Sequence, residues 1–177
     1  TGVQTCALPI SIAHKTEKNL LRLNLNQEAE ARQAYKDLVK MMNGDGGGVL
    51  VQEMIRGARE LVVGMTRDHQ FGPTVMFGIG GIFTEVFKDA VFRLAPIEKQ
   101  DALEMMEGIN GHAILGDIRG MAAADRDLLT DILVQVGRIG IEHPAVSEID
   151  INPLILNGSR PVAVDALVVL DTEQTKG

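Results

Sequence analysis

The stretch EIDINPLILNGSRPVAVDA, at residues 148–166, predicts two β-strands joined by a tight turn. Its Asn-Gly pair at 157–158 is a strong hairpin signal, and the flanking runs are rich in Ile, Leu and Val. Side chains two residues apart share one face of a strand, so Asp150 and Asn152 lie together. With a loop of two or four residues, Asp165 shares that face, and in the longer loop it stands opposite Asn152.

The acidic side chains of this hairpin are costly to bury unless something neutralises them. Mg²⁺ prefers oxygen ligands and is commonly held by one or two carboxylates together with nucleotide phosphates. Asp150, Asn152 and Asp165 therefore form a candidate magnesium site. The alternative is the solvated polar face of an edge hairpin, but the position of Asp165 among valines and alanines favours the metal. Glu148, the first acid of the strand, is expected to be solvated surface.

Hydrophobic periodicity predicts the remaining elements. Apolar residues at three- and four-residue steps predict helices at residues 27–42, 97–109 and 123–142. Strands are predicted at residues 49–55, 59–68, 72–81, 149–156 and 161–170. The first three of these strands have short links and are expected to form an antiparallel meander, whereas residues 82–96 are expected to be strand or loop. Strand meanders with separate helices predict an α+β domain.

The composition is that of an ordinary globular protein: 177 residues, 45% of them hydrophobic and 23% charged. The net charge of -7 argues against a nucleic acid or a membrane as partner. No apolar run approaches the roughly 20 residues that span a bilayer. The single cysteine, Cys6, cannot form an internal disulfide, so we expect a reducing, cytoplasmic location.

The first residues, TGVQTCALPIS, have no initiator Met, no basic region and no long apolar run. They therefore do not form a signal peptide. The segment resembles translated sequencing adapter, and we expect residues 1–11 to be foreign to the natural protein. A partial domain is then expected at residues 12–170, followed by a polar tail at residues 171–177.

A glycine-rich turn, MFGIGGIF, follows the third predicted strand and contains Gly80 and Gly81. Backbone N–H groups in such a turn can bind an anion, although a plain tight turn is the alternative. No Gly-Lys-Ser/Thr follows, so the turn is not a P-loop. The strand VLVQEMI is interpreted either as the edge of a purine site, with Glu53 at a ribose hydroxyl, or as an ordinary core strand. Glu60 is expected to form an exposed ion pair with Arg59.

Several of these motifs occur in one order, and together they resemble a known family. VLVQEMIRGARELVVGMTRDHQFGPTVMFGIGGIFTEVFKDAVFRLAPI, followed by SEIDINPLIL and VAVDA, is similar to the ATP-grasp domain of ADP-forming acyl-CoA synthetases, chiefly acetate–CoA ligase. It is also similar to the β subunit of succinyl-CoA synthetase. The resemblance covers residues 14–170 and implies an ATP-grasp fold, here mostly the second lobe with an incomplete first lobe.

The resemblance also implies the site residues. The nucleotide-binding positions are those of the adenine-side strand, one acid and the phosphate-facing turn: Gln52, Glu53, Met54, Ile55, Glu60, Gly80 and Gly81. Asn152 and Asp165 match the Mg²⁺ ligands of the family, and Asp150 matches a neighbouring acid. No catalytic residue is assigned, because the family's phosphohistidine normally belongs to the CoA-ligase part.

The activity implied by the resemblance is the coupling of acyl-CoA thioester cleavage to ATP synthesis, through an acyl phosphate and a phosphohistidine. ATP or ADP and Mg²⁺ are the implied cofactors. The implied partners are CoA-binding and CoA-ligase domains, in the same chain or in another subunit, which bring the small acid and CoA. Two alternatives stay open: a regulatory nucleotide-binding domain fused to a protein lysine acetyltransferase, and a non-catalytic α+β interaction domain.

The chain departs from the family pattern in two places. The family carries an ATP-phosphate lysine on a strand before the HK segment, whereas this chain has no lysine before Lys15. KNLL, at residues 18–21, also replaces the usual Gly-Gly pair. We therefore expect the isolated chain to bind ATP weakly and to turn over little.

Overall fold

The computed structural model describes residues 5–9, 20–42, 48–81 and 89–171. The chain divides into two compact units, Thr1–Met54 and Ile55–Gly177, each with its own antiparallel sheet. Within the described residues, no helix combines the length and the apolar character needed to cross a membrane.

The first unit is a three-stranded sheet with one helix. Its elements are β1 (Thr5–Pro9), β2 (Arg22–Leu25), α1 (Glu28–Met41) and β3 (Val49–Glu53), with strand order β2-β1-β3. Helix α1 begins in a capping box formed by Gln27 and Glu30. It buries Ala34 and Leu38 against the small core of this unit. Strand β1 lies inside residues 1–11, whose foreign origin stays a prediction.

The second unit holds most of the described chain. Its elements are β4 (Glu60–Asp68), β5 (Gly72–Ile79), β6 (Ala90–Leu94), α2 (Lys99–Gly108), a 3-10 turn (His112–Leu115), α3 (Arg126–Glu142), β7 (Val146–Asn157), β8 (Arg160–Ala163) and β9 (Ala166–Leu170). The strand order is β6-β5-β4-β7-β8, and β9 also pairs with β7. The three helices and the strands predicted at residues 49–55, 59–68, 72–81 and 149–156 lie where the periodicity predicts them, and the α+β class is confirmed. The periodicity does not predict strands β1 and β2. Of residues 82–96, expected to be strand or loop, residues 82–88 lie outside the described residues and β6 lies in the rest.

The expected three-stranded meander is wrong at its first strand. Val49–Glu53 pairs with Thr5–Pro9 in the first unit, whereas Glu60–Asp68 pairs with Gly72–Ile79 and with β7 in the second. Alternating apolar residues predict that a strand forms but not which strand it pairs with, because pairing depends on contacts distant in sequence. Only the β4–β5 hairpin of the meander is confirmed.

Helices α2 and α3 pack on one face of the second sheet. Leu61 and Val63 of β4 point into this core, as do Phe77 of β5 and Leu154 of β7. Because side chains alternate along a strand, the neighbouring residues point to the opposite face. We call this second surface, which carries Glu60, Asp150 and Asn152, the site face.

Arg59 is buried and does not form the expected exposed ion pair with Glu60. Its side chain is 3% exposed. The guanidinium donates hydrogen bonds of 2.7 to 3.2 Å to four backbone carbonyl oxygens, those of Ile114, Gly116, Ala122 and Gly158. A buried cation needs such partners, and the loop between α2 and α3 supplies three of them. Arg59 therefore fastens this loop and the β7–β8 turn to the start of β4.

Candidate functional site

The acidic hairpin has the longer of the two predicted registers. Leu156 pairs with Pro161, and Ile151 pairs with Ala166 in the same register. Asn152 therefore stands opposite Asp165, and the Asn152 N–H donates to the Asp165 carbonyl oxygen at 3.2 Å. The strand predicted at residues 161–170 is interrupted at this point. It forms two strands, β8 and β9, with Asp165 between them. The sequence-based placement of Asn152 and Asp165 side by side is confirmed.

A β-bulge lies at the same position. Leu61 pairs with Leu154 and Val63 with Ile151, so Asn152 and Pro153 together oppose one residue of β4. Proline has no N–H to donate to a ladder, and a bulge is one of the few interior positions that accept it. The bulge ends the regular pairing beside the candidate ligand Asn152, which is exposed.

Asp150 carries an uncompensated negative charge. Burial raises the pKa of its carboxyl group above the ordinary 3.8, and the charges of Glu148 and Asp165 raise it further. Within the described part of the chain, no hydrogen bond or ion pair involves the Asp150 carboxylate. Glu148 is exposed, as expected, yet its charge still acts on Asp150. The charges of Glu148 and Asp165 therefore repel the charge of Asp150.

This donor set fits magnesium. Asp150, Asn152 and Asp165 each offer oxygen ligands, and a divalent cation would offset the burial and the repulsion that raise the Asp150 pKa. No group of three or more His, Cys, Asp or Glu side chains in the described ranges could hold a metal ion unaided. A cation on this hairpin therefore needs further oxygen ligands, and nucleotide phosphates are a common source.

Glu60 lies against the glycine-rich turn. The Gly80 N–H donates to the Glu60 carbonyl oxygen at 2.8 Å, so this N–H belongs to the sheet and is not available to a phosphate. Gly81 has a φ of +68°, and a Cβ added there would lie 2.5 Å from Glu60 Oε2. Glycine is therefore required for both backbone conformation and space. Of the two predicted phosphate-facing glycines, Gly81 is the one left to offer its N–H.

Gly64 is a feature of the site face that sequence reasoning missed. It pairs with Asp150 on β7 and with Met76 on β5. A Cβ at Gly64 would lie 3.3 Å from Met76 Cε, so the missing side chain leaves room for the Met76 side chain to lie against the backbone of β4. A glycine inside an apolar strand is the available sequence signal, since it often indicates close approach by a ligand or another backbone.

Along the chain, the predicted adenine-side residues lie where the first unit ends and the second begins. Gln52 and Glu53 end strand β3, Met54 is the last residue of the first unit, and Ile55 opens the second. The Gln52 side chain hydrogen-bonds Cys6, whose thiol pKa is raised mainly by burial. Gln52 is half-buried and Glu53 is exposed. Their roles in nucleotide binding stay predictions.

Comparison with known families identifies this architecture. A family described as ATP-grasp domain matches residues 7–170. The chain belongs to the ATP-grasp family. The separate small sheet, the larger helix-backed sheet and the acidic hairpin are thus parts of an ATP-grasp domain.

The relatives of this ATP-grasp domain are acid–CoA ligases. The β subunit of acetate–CoA ligase (ADP-forming) I from Pyrococcus furiosus is 42% identical over 164 residues, which cover 90% of this chain and 71% of that subunit. Acetate–CoA ligase (ADP-forming) I from Archaeoglobus fulgidus is 39% identical over 92% of this chain, but the match covers only 24% of that longer protein. The chain is therefore an ATP-grasp domain of the ADP-forming acid–CoA ligase type.

Solved structures give the same assignment. The acetyl-coenzyme A synthetase 1 of Ca. Korarchaeum cryptofilum, in complex with coenzyme A and Ca-AMPCP, superimposes with a TM-score of 0.87 at 37% identity. The match covers 94% of this chain and 76% of that chain. A second structure of that enzyme, containing Mg-AMPPCP, gives a TM-score of 0.81 over the same shares of the two chains. The predicted ATP-grasp fold is confirmed.

Proposed function

We propose that this chain is the nucleotide- and magnesium-binding part of an ADP-forming acyl-CoA synthetase, which couples acyl-CoA thioester cleavage to ATP synthesis by phosphoryl transfer. The observation that carries the proposal is the pairing of Asn152 with Asp165, next to the uncompensated charge of Asp150. The 42% identity to an acetate–CoA ligase β subunit supports the same reaction. Acid and CoA would bind in other domains or in a partner subunit.

In this proposal, the acidic hairpin holds the cation that accompanies the nucleotide. The side-chain oxygens of Asn152 and Asp165 are the direct ligands, and Asp150 is the neighbouring acid. When bound, Mg²⁺ neutralises charge on the phosphates, which is a large part of what phosphoryl-transfer sites do. Asn152 and Asp165 face each other across one register position, so the hairpin brings their backbones close enough for both side chains to serve one cation.

The remaining site residues orient the nucleotide. The Gly81 N–H is the donor offered to a phosphate oxygen, and Glu60 fixes the turn by packing against Gly81. The residues Gln52 to Ile55 contact the base and ribose in this proposal. Asn152 lies opposite Val62 on the site face, so Glu60 is two residues, or about 7 Å, further along β4. One sheet can therefore present the turn and the hairpin to the same polyphosphate.

A reconstitution assay tests the proposal. The chain is combined with the companion subunit of the Pyrococcus furiosus enzyme, and ATP formation from ADP, phosphate and acetyl-CoA is measured. We expect ATP formation from the mixture, little from the chain alone, and none with Asp165→Asn, whereas Glu148→Gln, an exposed acid on the same strand, stays active. Nucleotide binding without ATP formation would favour the regulatory domain, and no MgADP binding would favour the interaction domain.

A further inference from the structure

A tight turn between α2 and α3 carries an arginine in an unfavourable backbone conformation. The Ile118 and Met121 backbones exchange two hydrogen bonds, of 2.9 and 3.2 Å, around Arg119 and Gly120. Arg119 has a φ of +50° and Gly120 a φ of +80°. Positive φ at both central positions defines a type I′ turn, which prefers Asn, Asp or Gly at the first of them.

Arg119 thus contradicts the local preference of its own turn. Within the described ranges, the only other non-glycine residue at positive φ is Asn24, and asparagine tolerates this region. An arginine with φ of +50° lowers the stability of the fold relative to asparagine or glycine. A residue that breaks a local rule points to a function when its side chain gains something elsewhere.

The fold itself does not use the Arg119 side chain. Arg119 is exposed, and among the described residues no hydrogen bond or ion pair involves its guanidinium. Arg59 and Arg67, in contrast, each donate to several backbone carbonyls. The described part of the chain therefore gives the guanidinium of Arg119 no partner.

The backbone on both sides of this turn is held in place by hydrogen bonds. The buried guanidinium of Arg59 donates to the carbonyl oxygens of Gly116 and Ala122, one on each side of the turn. Leu115 and Ala124, just outside these positions, belong to the core. The backbone of a turn held on such a base loses little conformational freedom on binding, which lowers the cost of a contact made there.

The position of the turn selects the class of ligand. The loop from α2 to α3 belongs to the helix layer, whereas Glu60, Asp150 and Asn152 lie on the opposite face of the sheet. The ligand inferred for Arg119 is therefore a group that approaches the helix layer, not the nucleotide proposed for the site face. The planar guanidinium binds a carboxylate through two parallel hydrogen bonds, which gives orientation as well as attraction.

We propose that Arg119 is a docking contact for an acidic side chain on the CoA-binding part of the enzyme. This proposal rests on the proposed function, because that function requires such a partner. The relatives contain further protein beyond the matched domain. The match covers only 24% of the Archaeoglobus fulgidus ligase, and the Pyrococcus furiosus relative is one subunit of its enzyme.

The test uses two measurements on one pair of variants. Arg119→Asn removes the charge and relieves the backbone, while Arg160→Asn removes an exposed arginine from strand β8 as the matched control. The probe is the companion subunit of the Pyrococcus furiosus enzyme. We expect Arg119→Asn to raise Tm by about 2–4 °C and to weaken the complex about tenfold. Arg160→Asn should change neither value appreciably.

A rise in Tm together with weaker binding of the companion subunit distinguishes a docking role of Arg119 from a structural one. A fall in Tm on Arg119→Asn would overturn the proposal, because the arginine would then serve its own fold. Unchanged affinity for the companion subunit in Arg119→Asn, or no binding by the unmodified chain, would also overturn it. MgADP titration of the same samples separates the two proposals. A chain that does not bind MgADP contradicts the proposed function. A chain that binds MgADP, and whose Arg119→Asn variant binds the companion subunit as well as the original, contradicts only the docking proposal.

Discussion

Arg59 and Glu60 are neighbours in sequence but belong to opposite faces of the second sheet. Arg59 points into the helix layer, where four carbonyl oxygens surround its guanidinium. Glu60 points to the site face, where its carboxylate lies against Gly81. The start of β4 thus carries a charge that makes four hydrogen bonds within the fold, next to a charge that lies beside a candidate ligand site.

The charged groups on the two faces differ in whether they find partners within the chain. On the helix face, burial of a cation is balanced by hydrogen bonds within the chain, so the arginine stabilises the fold. On the site face, Asp150 is half-buried and its pKa is raised, so the fold is less stable with this carboxylate charged. Because the free chain is less stable with Asp150 ionised, this carboxylate is available to bind a cation.

The largest effect is expected on the helix face. Arg59→Met would leave four partly buried carbonyl oxygens without their donor and should lower the free energy of unfolding by about 3–5 kcal/mol. Urea unfolding measures this loss. Arg160→Met, at an exposed position, should stay within about 0.5 kcal/mol of the original chain. Equal losses of unfolding free energy in the two variants would contradict a special stabilising role for the buried arginine.

A smaller effect is expected at the glycine-rich turn. Gly81 and Gly158 both have positive φ, but only Gly81 would place a Cβ against Glu60; nothing lies within 4 Å of a Cβ at Gly158. Each Ala substitution should cost about 1 kcal/mol from φ alone. Gly81→Ala should also displace Glu60 and weaken MgADP binding, as measured by calorimetry. Unchanged binding in Gly81→Ala would show that this turn does not position the nucleotide.

The smallest effect is expected at the repelling carboxylates, and it has the opposite sign. The pKa of Asp150 is raised in the folded state, so the folded chain binds the proton more tightly, and ionisation destabilises it as the pH rises above 3.8. Asp150→Asn should therefore raise Tm at neutral pH without magnesium. The gain should shrink as the pH falls towards the ordinary carboxyl range. A lower Tm at neutral pH would contradict the repulsion.

The hairpin could be predicted because its information is local. One Asn-Gly pair and strict alternation of side chains limited the register to two choices, and both placed Asp150, Asn152 and Asp165 on one face. The helices were equally predictable, since their apolar residues recur along a single segment. The family resemblance then added the candidate roles of residues that periodicity leaves unassigned, such as Gln52.

The errors concern contacts between segments that are distant in sequence. Strand Val49–Glu53 pairs with β1, about 40 residues earlier, and no pattern within the strand carries that information. Arg59 has the sequence appearance of a surface residue, yet its carbonyl partners lie 55 to 99 residues further along the chain. Local charge patterns predict an exposed ion pair at such a position, whereas packing of the α2–α3 loop buries it.

Asn152 and Asp165 are proposed to hold the magnesium that accompanies the nucleotide. Calorimetric titration of ADP, with and without Mg²⁺, into the original chain and Asp165→Asn tests it most directly. We expect magnesium to strengthen ADP binding to the original chain, and this gain to disappear in Asp165→Asn while magnesium-free binding changes little, because only the cation contact is lost. An equal magnesium-dependent gain in both proteins would contradict the account.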